Sequence, residues 1–248
     1  MSNTPEASQI LTYLKSGGFS ARHGQKAIEA GLGLLASIRP TAEAISEIES
    51  GIELGASFIS YFSDEYPQSL KSLVDPPLLL SVFPYVEGLF KAKMPIVGIV
   101  GARDCTGEGL AVARELASEL ARANVTVISG LARGIDTAAH MGVCDVSASH
   151  LGPKLQFAVL GSGLCNMYPS ENIPLFRQIT ESGGVAISAF GSSAPPKQYH
   201  FPQRNRIIAA MCDVLVVVES GIKGGSLHTA RSALELGKDI FAVPGNIR

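Results

Sequence analysis

Six short apolar runs rich in β-branched residues stand in the last three-fifths of this chain, and helix-patterned stretches separate them. The runs are "PIVGIVG" (95–101), "VTVIS" (125–129), "LQFAVLG" (155–161), "GVAIS" (184–188), "DVLVVVE" (213–219) and "DIFAVPG" (239–245). Continuous apolar runs of this length are strands buried on both faces. The stretch 108–124 between the first two repeats Leu110, Ala113, Leu116, Ala117, Leu120 and Ala121 along one helical face. Another helix opens at "GIDTAAHMGV", where Asp136 reads as a cap, and more follow at 171–182, 204–212 and 226–237. Strand alternating with helix in this way predicts an α/β fold, a doubly wound and mostly parallel sheet with helices on both faces.

Residues 1–57 have a different texture. "ASQILTYLKSGGFS", "RHGQKAIEAGLGLLASI" and "TAEAISEIESGIELG" are short helical patterns split by glycines. They predict a small helical N-terminal domain before a sheet domain over 58–248, with the boundary between 54 and 62. Beyond it Asp75-Pro76-Pro77 must be extended, because a proline restricts the residue before it. The chain of 248 residues is long enough to bury a sizeable core, and 46 % hydrophobic with 17 % charged residues suits a globular protein. Cys105, Cys144, Cys165 and Cys212 are widely spaced, without metal-ligand spacing, so they are expected as reduced thiols with no metal site and no disulfide. No basic-then-apolar leader opens the chain and no run nears the roughly 20 apolar residues a membrane span needs. A cytoplasmic protein with no membrane partner is expected.

Ligands of such sheets bind beyond the carboxyl ends of the strands. Along that edge stand Gly101-Ala102-Arg103, then Gly130 to Asp136 with Arg133 and Gly134, then Gly161-Ser162-Gly163, then Gln203-Arg204-Asn205-Arg206, and last Gly224-Gly225-Ser226. Glycines admit a phosphate to the backbone, helix N-termini attract it, and arginine forks grip its oxygens. The formal charge is only −2, yet 182–212 holds Lys197, Arg204, Arg206 and His200 with no acid. A polyanion would need such a local patch. Tyr199 and Phe201 add rings on which bases stack. Each glycine also has a plain reading as turn chemistry, and His140 and Cys165 read as packing residues. "GSGLCN" lacks the third glycine of a dinucleotide fingerprint, and no acid ends the first strand, so no nicotinamide or flavin cofactor is expected. On these residues alone the ligand is either a nucleotide or a strand of DNA.

"GARDCTGEG", "SGLARGIDTAAH", "AVLGSGLCNMYPSEN", "FPQRNRIIA" and "GGSLHTARSALELGKDIFAVPG", in this order, resemble the DNA-processing protein A (DprA, or Smf) family over roughly residues 60 to 246. The resemblance implies an extended Rossmann-like domain that binds single-stranded DNA without cleaving it, protects it, hands it to the RecA recombinase in natural transformation, and forms homodimers. It puts the DNA contacts at Arg103, Arg133, Arg204, Asn205 and Arg206, to which the basic patch adds Lys197, with Gly130, Gly134, Gly161, Gly163, Gly225 and Ser226 as the backbone cradle and no catalytic residue. Arg103, Arg133 and Arg206 are the expected phosphate contacts, and Asn205 the residue that holds the turn or reaches a base. Arg204 and Arg206 are expected to differ in role. The chain departs from the family at Ala189, where relatives carry Glu, at "GGSLHTA", and over 143–153. The alternative function is nucleotide binding, or processing of the phosphoribohydrolase kind. Those enzymes share the late glycine turn, but the acid their chemistry needs is replaced here around Ala230 and Arg231, and the nearest downstream acid is Glu235.

Overall fold

The computed structural model describes residues 4–17, 21–148, 155–222 and 224–245. The six expected runs form strands β3 (Ile96–Val100), β4 (Thr126–Ser129), β5 (Gln156–Leu160), β6 (Val185–Ser188), β7 (Val214–Val217) and β8 (Asp239–Ala242). Two strands precede them, β1 (Ser57–Ser60) and β2 (Leu79–Phe83). All eight make one sheet in the order β1-β2-β6-β5-β4-β3-β7-β8. The pairs from β6 through to β8 are parallel, while β1 pairs with β2, and β2 with β6, antiparallel.

Successive strand residues feed opposite faces, as the pleat requires. Val100, Ile128, Phe157, Val159 and Ile187 pack under α8 (His200–Met211) and α9 (Gly225–Glu235). Ile99 and Val127 pack under α5 (Gly107–Arg122) and α6 (Ile135–Ala148), and Ala158, Leu160 and Ala186 under α6 and α7 (Ile173–Glu181). The sheet is therefore covered on both sides, the doubly wound arrangement its sequence pattern implies. The N-terminal helices α1 (Thr4–Ser16), α2 (Ala21–Ala30), α3 (Leu32–Ala36) and α4 (Ala42–Glu53) gather round Ile10, Leu11, Leu35 and Ile48. That cluster leans on Phe58, Leu78 and Leu79 of the sheet edge.

Two boundaries differ from the sequence pattern in ways that matter. Helix α8 begins at His200, not at Arg204, so the arginines lie in helix and not in a turn. Pro202 sits in the first helical turn, where its missing N–H would have had no helical partner. Helix α6 runs on to Ala148, taking in the first part of the divergent stretch 143–153. Residues 149–154 of that stretch lie outside the described residues.

His140 on α6 is fully buried, with Nδ1 2.8 Å from Gln156 Oε1 and no partner for Nε2 among the described residues. Burial pushes its pKa below the ordinary 6.5, with Arg204 acting in the same direction and Gln156 and Asp136 against it. The unfolded chain therefore takes up a proton that the fold refuses. Stability from this group is complete above 6.5 and declines as pH falls through that value. Thermal melts at about pH 7.5 and 5.5 should show the decline, and His140→Leu should flatten it relative to the native chain.

Candidate nucleic-acid interface

The carboxyl ends of β3, β4 and β5 and the start of α8 enclose a pocket of about 360 Å³. Arg103, Arg133 and Arg204 line it together with Gly130, Gly161, Tyr168 and Phe201. Its volume suits a small ligand.

Arg204 forms the floor. It is 3 % exposed, and Nη1 donates to Val159 O at 2.8 Å while Asp136 Oδ2 lies 4.0 Å away. Nε has no partner among the described residues. A guanidinium carries five N–H donors, and burying one with so few satisfied is costly unless an anion arrives. Burial itself lowers its pKa below the ordinary arginine range and Asp136 counteracts this. Asp136 is more than the helix cap its position suggested. Oδ2 accepts the N–H of Gly130 at 3.1 Å, so one carboxylate holds the β4 turn and faces the buried arginine. The turn has room for this only because residue 130 lacks a side chain. A Cβ there would lie 1.6 Å from Arg204 Nη1.

Arg103 and Arg133 are exposed on the rim. The Arg103 guanidinium lies 4.7 Å from the Phe201 ring centre, a cation–π contact that orients it over the pocket. Phe201 reaches this place because Gly161 leaves it space; a Cβ on 161 would stand 2.8 Å from the ring. Tyr168 packs beside Phe201, with ring centres 5.8 Å apart. Arg133 is held by Glu171 at two points, with Nη2 3.1 Å from Oε2 and Nε on Oε1. Gly134 has a φ of +72°, and a Cβ there would meet Ala102 O at 2.3 Å, so the β3 and β4 turns touch backbone to backbone. Asn172 ties the far rim to that turn, donating to Leu131 O and Thr137 Oγ1, each at 2.9 Å.

The remaining expected site residues are elsewhere. Arg206 points away from the pocket and makes an ion pair with Asp75, lining a separate cavity against Pro76, Pro77 and Phe190. Asn205 donates to Gly225 O at 3.3 Å, joining α8 to α9. Gly225 opens α9, and Ser226 is buried, donating to Ser220 Oγ at 2.7 Å. Gly163 serves a loop contact, since a Cβ would meet Gly191 O at 2.1 Å. Lys197 is exposed, its Nζ 5.7 Å from the Tyr199 ring centre. His200 stacks on Phe190 at 4.0 Å. The expected contact set thus divides into a pocket group, Arg103, Gly130, Arg133, Gly161 and Arg204, and a set of structural or outlying residues. Tyr168, Asp136, Glu171 and Asn172 join the pocket from positions to which the sequence assigned no ligand role. "YPSEN" stood among the quoted blocks and was the one signal that could have found three of them.

Comparison with known proteins agrees with this architecture. The profile of a family described as DNA recombination-mediator protein A matches residues 57–248. The chain is 38 % identical over 188 residues to DNA processing protein DprA of Streptococcus pneumoniae, covering 76 % of this chain and 63 % of that protein. It is 39 % identical over 186 residues to Protein Smf of Escherichia coli, covering 75 % and 47 % respectively. It thus spans between about half and two thirds of the length of these curated relatives. The crystal structure of the Streptococcus pneumoniae protein superposes with a TM-score of 0.70 at 29 % identity, over 100 % of this chain and 89 % of that one. A structure of DNA processing protein A from Helicobacter pylori, described for its single-stranded DNA binding mode, gives 0.67 at 26 % identity, over 78 % and 82 %. Sheet order, glycine turns and matched residues all lead to one assignment: the chain belongs to the DNA recombination-mediator protein A family, the DprA/Smf proteins.

Proposed function

We propose that this chain binds single-stranded DNA without sequence preference through the arginine pocket, and acts as a binding module that protects the strand and loads RecA recombinase on it. The observation that carries this reading is the buried, under-satisfied Arg204 at the floor of a pocket whose rim holds two more arginines. Three guanidiniums on one small cavity match phosphate oxygens, and the Phe201 and Tyr168 rings offer stacking surfaces that accept any base. Gly130, Gly134 and Gly161 bring the turns close enough for the arginines to converge. A paired base cannot enter a pocket of this kind, so the preference is for an unpaired strand. Of the acids at the pocket, Asp136 is engaged with Gly130 and Arg204 and Glu171 with Arg133, which leaves these two poorly placed for the acid–base work of a hydrolase, while Asp104 stands exposed on the rim. In this reading the protein works in the cytoplasm as a homodimer. Self-association would use the β8 edge, where Leu234 and Phe241 are 69 % and 61 % exposed.

The test is a titration of labelled oligo-dT, which should bind with an affinity that falls steeply with salt. Incubation with nucleoside monophosphates should release no base; turnover there, or absent oligo-dT binding by the folded protein, would reverse the reading. Glu171 gives a sharper check. Its carboxylate competes with phosphate for Arg133, so Glu171→Gln should tighten oligo-dT binding by about threefold to tenfold. In the Arg133→Ala background the same change should have much less effect, which a double-mutant cycle would show.

A further inference from the structure

A second cavity adjoins the pocket and no role has been assigned to it. Where the first turns of α5 and α6 diverge they leave a groove of about 640 Å³. Leu110, Ala111, Ala138 and Met141 give it aliphatic walls, and Arg103 and Asp104 border both this groove and the arginine pocket. Arg114 closes the far end, fixed by Asp145 through Nε–Oδ2 at 2.6 Å and Nη2–Oδ1 at 2.9 Å. The two cavities are thus neighbours across one turn of backbone, with Arg103 and Asp104 at their junction.

We propose that this groove receives the unpaired base of the nucleotide adjacent to the one held in the arginine pocket, the strand crossing over Arg103. The inference rests on the single-stranded DNA reading of that pocket and adds a second subsite and a direction for the strand. Three features support it. Arg103 is placed to grip the phosphate between two successive nucleotides, because the residue borders both cavities and its guanidinium lies over the Phe201 ring of the first. The aliphatic walls suit the flat faces of a base and present no donor–acceptor pattern, so any base is accepted. Leu110 is 38 % exposed, an apolar wall open to solvent near Arg103, a pairing that fits a base and its phosphate, with Asp104 beside the same mouth. A base engaged in a duplex cannot turn into the groove, so the subsite strengthens discrimination against double strands.

The chain contains no tryptophan, which makes a direct reporter available. In the full-length Leu110→Trp variant, indole emission should be quenched on titration with a dT oligomer of about 12 residues. The same reporter at Leu32→Trp, exposed on α3 among the N-terminal helices, should not respond. Independently, Ala111→Glu should weaken oligomer binding by about tenfold, while Leu32→Glu, of equal charge, leaves it unchanged. Oligomer binding that proceeds without quenching at position 110 and is untouched by Ala111→Glu would overturn the groove and leave the pocket standing. If the native chain fails to bind the oligomer at all, the pocket reading falls and the groove falls with it.

Discussion

Arg204→Met is expected to eliminate oligo-dT binding and to destabilise the fold by about 1–3 kcal/mol. The side chain is buried, and its removal leaves Val159 O without its donor and Asp136 without its facing cation. Methionine fills the volume, so the loss registers charge and hydrogen bonding more than packing. Arg204→Lys should recover part of the stability and little of the binding, because an ammonium restores the charge but not the planar fork. Gly130→Ala should give the same result with Arg204 still present. Its new methyl would sit 1.6 Å from Nη1 and 2.6 Å from Asp136 Oδ2, so the guanidinium must leave its seat. Urea melts and oligo-dT titration of the two variants measure both effects. Full binding by a folded Arg204→Met protein would remove Arg204 from the site.

The second large effect belongs to the rim. Arg103→Ala with Arg133→Ala should weaken oligo-dT binding by about 100-fold at moderate salt. Both side chains are exposed, so the melting temperature should stay near the native one. Arg206→Ala provides the contrast. Its partner is Asp75 and its cavity is a different one, so it should lower stability modestly and change oligo-dT affinity by less than about twofold.

The strands β3 to β7 were legible because parallel strands covered on both faces are written as unbroken apolar runs, and β8 reads the same way although it is an exposed edge strand. The strands β1 and β2 were not, since "SFIS" is bounded by serines with only two apolar residues and "LLSVF" lies between Pro77 and Pro84. At the site, the arginines and glycines were visible as residues at strand ends, but their division was only partly so. The sequence pattern shows this helix only over 204–212, while α8 starts at His200 with Pro202 as its third residue. With α8 starting at His200, Arg204 and Arg206 differ by about 200° around the helix axis, one turned to the sheet and the other to Asp75. That they would differ in role was foreseeable from adjacency; which one would enter the pocket depended on the cap. The pairings of Arg133 with Glu171 and of Arg204 with Asp136 join residues 38 and 68 positions apart, and sequence periodicity carries no information about such contacts.

The central claim is that Arg103 and Arg133 grip phosphates of a single strand in one pocket. Its most direct test is the salt dependence of labelled oligo-dT binding, compared between the native chain and the Arg103→Ala/Arg133→Ala variant. Each phosphate contact on a single strand contributes about 0.7 to the slope of log K against log salt, so the slope should flatten by about 1.4. An unchanged slope with unchanged affinity in a folded variant would contradict the account.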